Sequence, residues 1–329
     1  MACMMNNPIN YFQGKKLLLT GGAGYLAANL ILRLQDIDCR IIRFDRPEAF
    51  FVPVKGKLRI QDITGDISDI GIWDTLIDGV DVIFHFAAQT SVYLAEQKPQ
   101  KDFDINVMPM FHLLEACREK DLQPAIIFSG TVTEAGLPVR LPVDETHPDL
   151  PITFYDLHKW MAENYLKYYV RQGVVKGAIL RLVNVFGPGP ASSSADRGVL
   201  NLMVRRALQG ETLTVYGKGD YLRDYVYVDD VVYAFLLAAS NIESINGKHF
   251  VIGSGEGHTI AEAFNLVKEC VERRTDKRVS VVHVDPPSNL SQIETRNFVA
   301  NAGLFRELTG WNPQYSLIKG IDRTIDSYL

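Results

Sequence analysis

Short, uninterrupted apolar runs alternate with longer mixed stretches through the first half of the chain. Residues 16–20 (KLLLT), 39–44 (CRIIRF), 82–86 (VIFHF), 125–129 (AIIFS) and 178–183 (AILRLV) predict strands. Runs of this kind, lacking polar alternation, fit a parallel sheet covered on both faces. Between them, residues 25–35 and 106–120 carry apolar positions at helical spacing. The strand–helix alternation predicts an α/β fold with a doubly wound parallel sheet. The rhythm changes after Asn184. Residues 186–198 (FGPGPASSSADRG) are dense in Gly, Pro and Ser and read as a loop. The later elements are short and mixed, which predicts a smaller mixed α/β C-terminal lobe. Residues 224–240, apolar and helix-like after YVYVDD, are expected to return to the first domain. The expected division is 1–183, with 224–245 rejoining it, against 184–223 and 246–329.

Composition narrows the function classes. A chain of 329 residues, 47% hydrophobic, buries roughly three quarters of its unfolded surface and needs no covalent staples. Lys plus Arg number 34 and Asp plus Glu 39, giving a net charge of −5, which argues against nucleic acid as a partner. No run approaches the roughly 20 apolar residues that span a bilayer. The start, MACMMNNPINYFQGKK, lacks a long apolar core behind a basic segment, so a cytoplasmic location is expected. Cys3, Cys39, Cys117 and Cys270 are scattered with no CxxC pair, so neither a zinc site nor a disulfide framework is expected.

The strand KLLLT runs into Gly21-Gly22-Ala23-Gly24-Tyr25-Leu26-Ala27, and a helical pattern follows. Glycines permit a tight turn and close approach of a pyrophosphate to backbone N–H groups, with the positive end of the helix behind it. Asp45 closes the next strand, 24 residues after Gly21. A carboxylate there accepts hydrogen bonds from ribose hydroxyls and repels a 2′-phosphate, favouring NAD over NADP. The neighbouring Arg46 works the other way. Together these features predict a Rossmann dinucleotide site. Asp66, in Gly65-Asp66-Ile67, reads by itself as a turn residue.

Tyr155 and Lys159 stand four residues apart in PITFYDLHKWMAENYL. On a helix they share a face. An ammonium beside a phenol favours the phenolate and lowers its pKa from about 10, giving an acid/base for a hydroxyl group. Upstream, Ser129-Gly130-Thr131 follows the strand AIIF and brings hydroxyls to a strand's carboxyl end, where such sheets bind ligands.

TGGAGYLA, the Asp45 position, GDI, FHFAAQ, Asn106, SGT, YDLHK, LRLVNVFGPG and RDYVYVDD occur in one order. In this the chain resembles the extended short-chain dehydrogenase/reductase family, in its nucleotide-sugar epimerase/dehydratase group. The pattern is nearest to the UDP-glucose 4-epimerase-like members. The resemblance implies that Gly21, Gly24 and Ala27 line the NAD pyrophosphate, with Tyr25 and Leu26 also at the cofactor site, Asp45 at the adenosine ribose, and Asp66 and Ile67 at the adenine. It adds Ala87 and Asn106 to the cofactor site. Tyr155 becomes the catalytic acid/base, Lys159 its pKa-lowering partner and a ligand of the nicotinamide ribose, and Thr131 a hydrogen-bonding partner of the reacting sugar hydroxyl. Thr133, Asn184 and Asn201 match positions near the sugar nucleotide, Arg223 and Arg296 positions that grip its diphosphate, and Tyr216 a position that packs on the base. The C-terminal lobe is then the nucleotide-sugar-binding one.

The implied chemistry oxidises a sugar hydroxyl, usually at C4, to a keto intermediate. A 4-epimerase returns hydride to the other face, whereas a 4,6-dehydratase needs acidic side chains just after the Ser/Thr position. Val132 and Thr133 stand there, and Glu134, in an extended segment, points away from Thr133. This favours 4-epimerisation. The alternatives are an NAD(P)H-dependent 4-keto-sugar reductase, a dehydratase or decarboxylase, and, in a different class, a catalytically silent dinucleotide sensor. Glu134-Ala135-Gly136 replaces the family's usual Val-Tyr-Gly and removes an aromatic near the sugar. Met108, Met110, Phe111, Leu114, Trp160, Met161, Tyr165, Tyr168 and Tyr169 give two helical segments more apolar surface than one sheet face needs, and a homodimer is expected.

Overall fold

The fold is that of a computed structural model, which describes residues 8–190 and 198–329. The apolar runs form strands β1 (Lys16–Thr20), β2 (Arg40–Asp45), β3 (Arg59–Thr64), β4 (Val82–His85), β5 (Ala125–Thr131) and β6 (Lys176–Leu182). Shorter strands follow: β7 (Asn184–Phe186), β8 (Leu213–Tyr216), β9 (Leu222–Tyr227), β10 (His249–Ile252), β11 (Gly257–Thr259) and β12 (Val281–Val284). Seven of them make one parallel sheet in the order β10-β6-β5-β4-β1-β2-β3. The order reverses at the β1–β4 pair, and ligands of doubly wound sheets bind at such a crevice, outside the carboxyl ends of the strands.

Strand side chains alternate between faces, and each face has its own core. Leu17, Leu19, Ile41, Val82, Phe84, Ile127 and Leu180 belong to one, which also takes in the helices Tyr25–Leu34 and Val228–Ser240. Leu18, Ile42, Ile83, Ile126, Phe128 and Ile179 belong to the other, under the helices Met108–Glu119 and Phe154–Arg171. Apolar burial on both faces is why these strands read as continuous runs. A third core, around Phe186, Met203, Val215, Phe264 and Ile321, lies among the later elements, with sheets β11-β9-β7 and β12-β8.

The sequence reading and the structure differ in several elements. Residues 106–120 are not one helix: Pro99–Asn106 ends at Val107, and Met108–Glu119 starts anew with Pro109 in its first turn. Pro109 has no N–H to continue the ladder of the preceding turn. Within 224–240, residues 224–227 complete strand β9, and the helix begins at Val228, already inside YVYVDD; it packs beside the Tyr25–Leu34 helix. Strand β10, within the span assigned to the lobe, instead pairs with β6 as the edge of the large sheet. The Gly/Pro/Ser-rich segment falls partly outside the described residues, at 191–197. Among the described residues no helix is long and apolar enough to cross a membrane.

Candidate active site

The glycine turn follows β1 directly. Gly21 has φ +66°, and a Cβ there would stand 2.9 Å from the Ala87 nitrogen. A Cβ on Gly22 would stand 2.7 Å from Arg43 Cβ, and one on Gly24 2.9 Å from the Gly21 carbonyl oxygen. Gly24 is the N-cap of the Tyr25–Leu34 helix, in an extended conformation and with no side-chain cap. First-turn amides at such an end suit an anion. Asp45, at the end of β2, accepts hydrogen bonds from Ala23 N–H (3.0 Å) and Arg46 N–H (2.8 Å), so its carboxylate is held beside the turn. The Tyr25 hydroxyl donates to the Gly187 carbonyl at 3.0 Å, while the Leu26 side chain is half-buried against the first core. These residues fit a dinucleotide: a cradle a side chain would fill, an uncapped helix end and an acidic residue at the neighbouring strand tip.

The rim continues along β4. Ala87 N–H donates to Thr20 Oγ1 (3.2 Å), which also lies 3.1 Å from His85 Nδ1. Asn106 exchanges bonds with the backbone of Gln89: its Oδ1 accepts from Gln89 N–H (3.0 Å) and its Nδ2 donates to Gln89 O (2.9 Å). Asp66 Oδ1 accepts from Ser68 N–H and Oγ, the turn role that its local sequence suggested, and these bonds lower its pKa. Ile67 packs at the edge of the second core.

Tyr155 and Lys159 lie on the helix Phe154–Arg171, capped by Thr153, whose side chain accepts from Asp156 N–H. Tyr155 is 6% exposed and clusters with Val92, Ala95 and Ile293, so elements from both halves of the chain close on its ring. Lys159 is buried, with Nζ 4.0 Å from the centre of the Phe128 ring. Burial pulls its pKa down to about 8, while the carboxylates of Glu134, Asp102 and Glu163 oppose that shift. His85 is driven to about 3 by burial and by the nearby Lys159 charge, so it is neutral.

Thr131 ends β5, and its Oγ1 lies 2.9 Å from Thr133 Oγ1. The segment beyond it is not extended, contrary to expectation. Val132–Ala135 is a 3₁₀ turn with a capping box: Thr131 Oγ1 accepts from Thr133 N–H, and Glu134 Oε1 accepts from Thr131 N–H. The Thr-x-x-Glu pattern of such a box stands in the sequence at 131–134. Glu134 is wholly buried, with Oε2 3.1 Å from Arg181 Nε. Burial, together with the neighbouring Glu163 carboxylate, raises its pKa well above the usual range. Glu163 stays ionised despite its burial, held to about 2 by Arg181 and then by Lys167. Arg181 also forks onto Asp149. Sequence reasoning missed this network; its signal was charged residues inside apolar runs, Arg181 within AILRLV above all.

The substrate candidates lie on the later elements. Asn184, in β7, donates to the Asp224 carbonyl at 3.3 Å, and Asn201 Oδ1 accepts from Gly187 N–H at 2.9 Å. Arg223 and Arg296 are brought together: Arg223 donates to the backbone carbonyls of Arg296 and Glu294, and Arg296 to that of Ile293. Both arginines are buried. Tyr216 is 55% exposed at the end of β8, beside a depression of about 470 Å³ lined by Gly217, His283, Val284 and Asp285. Asp224, not singled out in the sequence, is buried and accepts from Ser254, Gly255 and Ala300 N–H groups, joining β9 to the segments after β10.

Comparison with known proteins gives the same frame. The chain is 28% identical over 319 residues to UDP-glucose 4-epimerase of Mycolicibacterium smegmatis, covering 95% of this chain and 98% of that one. It superposes on the crystal structure of UDP-glucose 4-epimerase with UDP-glucose from Thermotoga maritima with a TM-score of 0.84, at 30% identity, over 95% of this chain and 98% of the other. The Thermus thermophilus UDP-glucose 4-epimerase complex with NAD aligns with a TM-score of 0.78 at 28% identity, over 95% and 98%. The model of the NAD dependent epimerase/dehydratase family matches residues 17–253, which hold the glycine turn, Asp45, Thr131, Tyr155, Lys159 and Arg223, and the chain belongs to that family.

Proposed function

We propose that the protein is an NAD-dependent epimerase that inverts C4 of a nucleoside-diphosphate sugar. The observation that carries this is the set Thr131, at the carboxyl end of β5, with Tyr155 and buried Lys159, in the first turns of the helix Phe154–Arg171, together with a glycine turn built for a dinucleotide. Relatives spanning nearly its whole length are UDP-glucose 4-epimerases, so UDP-hexoses are the first substrates to test.

Bound NAD supplies a reversible hydride acceptor for the sugar carbon. The chain's residues handle the proton and the geometry. Tyr155 takes the C4 hydroxyl proton as the C4–H bond breaks, and returns it when the keto sugar is reduced on its other face. The Lys159 ammonium stabilises the phenolate that the exchange requires. Thr131 and Thr133 present linked hydroxyls to the sugar oxygen. Arg223 and Arg296 supply positive charge for the diphosphate, and Tyr216 a surface for the base.

The 3₁₀ turn weighs against the dehydratase. Removal of a C5 proton and protonation of the C6 hydroxyl need a free acidic group beside Thr131, and Glu134 instead turns inward to Arg181. A silent sensor would have no use for all three catalytic groups. We further propose a cytoplasmic homodimer, whose contact includes Phe111, Tyr165 and Tyr168; Tyr168 is 51% exposed, and the Phe111 and Tyr165 rings meet at 5.5 Å.

The test is to denature the purified protein, identify the released dinucleotide, and incubate intact protein with UDP-glucose and no added cofactor. Stoichiometric NAD and accumulation of UDP-galactose support the reading. An empty protein that consumes free NADPH with a 4-keto-sugar nucleotide would replace it with the reductase.

A further inference from the structure

Three side chains converge on a carboxylate that the chemistry above does not use. Asp102, on the helix Pro99–Asn106, is 1% exposed. Its Oδ1 accepts from Gln89 Nε2 at 2.6 Å and from Asn106 Nδ2 at 3.0 Å, and its Oδ2 lies 2.6 Å from His158 Nδ1. A carboxylate only accepts, so the imidazole hydrogen of this contact is on Nδ1. The partners come from different elements. Gln89 is in the loop after β4, Asn106 is one turn further along the same helix, and His158 directly precedes Lys159 on the catalytic helix. His158 is itself buried, edge-on to Phe103 at 5.5 Å and beside Phe154 at 5.9 Å. The loop that holds Gln89 also carries Ala87, whose nitrogen limits the Gly21 turn.

We propose that Asp102 and His158 are a positioning pair: their buried bond ties the helix of Tyr155 and Lys159 to the helix Pro99–Asn106 and, through the Gln89 bond to the same carboxylate, to the loop after β4, and so fixes the acid/base relative to the dinucleotide turn. This rests on the epimerase reading of Tyr155 and Lys159. Two groups so deeply buried leave little freedom for alternatives, because a partner lost on either side strands a polar group away from water.

Asp102 has a second, electrostatic effect on the same site. Lys159 is faced by Glu134 from the 3₁₀ turn, by Asp102 from its helix, by Glu163 from the Lys159 helix, by neutral His85 from β4 and by the Phe128 ring from β5. Removing the Asp102 charge therefore makes the Lys159 ammonium easier to deprotonate. His158→Ala breaks the lock but leaves that charge in place.

Three variants of the full chain test the pair. His158→Ala is expected to cut kcat on the order of ten- to a hundredfold with KM little changed, the cost of a small misplacement of reacting groups. His158→Asn, which keeps a donor near the Nδ1 position, should recover most of that loss. Asp102→Asn should lower kcat, shift the alkaline limb of its pH profile to lower pH, and release bound dinucleotide more readily on gel filtration, whereas the limb of His158→Ala stays where it is in the wild type. Should Asp102→Asn not fold, the comparison of His158→Ala with His158→Asn decides. Wild-type kcat, limb and dinucleotide content in His158→Ala and Asp102→Asn would overturn the proposal, even if both variants melted earlier. A wild-type protein that holds NAD but epimerises no nucleotide sugar would sink the epimerase reading instead. Dinucleotide retention would then judge the pair, and undiminished retention in Asp102→Asn would refute it.

Discussion

The role proposed for Tyr155 depends on its neighbours. A phenol is a poor base near neutrality, and in the proposed mechanism the Lys159 charge is what makes the phenolate accessible. Tyr155→Phe removes one oxygen from a packed ring, so it should lower kcat by about 10²–10⁴ while bound NAD is retained, measured by turnover and by dinucleotide released on denaturation. The Lys159 ammonium is present below its pKa of about 8 and lost above it. Turnover should therefore fall as pH rises through about 8, and a kcat profile still flat at pH 10 would contradict this account. The same shift has a stability sign. Between about 8 and the unfolded value near 10.4, the unfolded chain binds more protons than the folded one. The penalty for burying this charge is thus fully felt below pH 8, and this residue's contribution to stability rises with pH across that window.

At the scale of elements, the glycine turn and the Arg181 network make separate demands. Gly21→Ala would place a Cβ at φ +66°, 2.9 Å from the Ala87 nitrogen. Strained backbone and a closed cradle should both follow, and the expected outcome is loss of tightly bound dinucleotide with a lower unfolding temperature. Arg181→Met leaves Glu134, Glu163 and Asp149 without their shared cation. Uncompensated buried charge costs about 3–5 kcal/mol, to be read from urea unfolding. Much of this level was legible in the sequence. The run KLLLT is strand β1 to the residue, because five apolar-rich positions end abruptly at glycine. The break at Val107 and the fold of 131–135 were not read, although Pro109 and the Thr-x-x-Glu pattern were there to see. Periodicity outvoted these local signals. The Asp102–His158 bond was not readable at all, since its partners stand 56 residues apart and only the packing of two helices brings them together.

At the scale of the whole molecule, the sheet order puts the β1–β4 crevice, the β5 tip and the Tyr155 helix on one rim, while segments from beyond residue 184 close over it. The alternation of strands and helices foretold the parallel sheet. It did not foretell that β10 rejoins it, because four residues of strand carry no mark of the sheet they will pair with. The exposed Tyr165 and Tyr168 predict self-association through the Met108–Glu119 and Phe154–Arg171 helices. Sedimentation should give about twice the 36.9 kDa chain mass, and Tyr168→Glu should shift it toward the single-chain value. The central claim is that C4 is oxidised and reduced within one closed site. The most direct measurement follows UDP-glucose bearing deuterium at C4, incubated with the protein and no added cofactor. The expected product is UDP-galactose with the deuterium still at C4. Deuterium lost to solvent, or a 4-keto-6-deoxy product accumulating in place of the epimer, would contradict it.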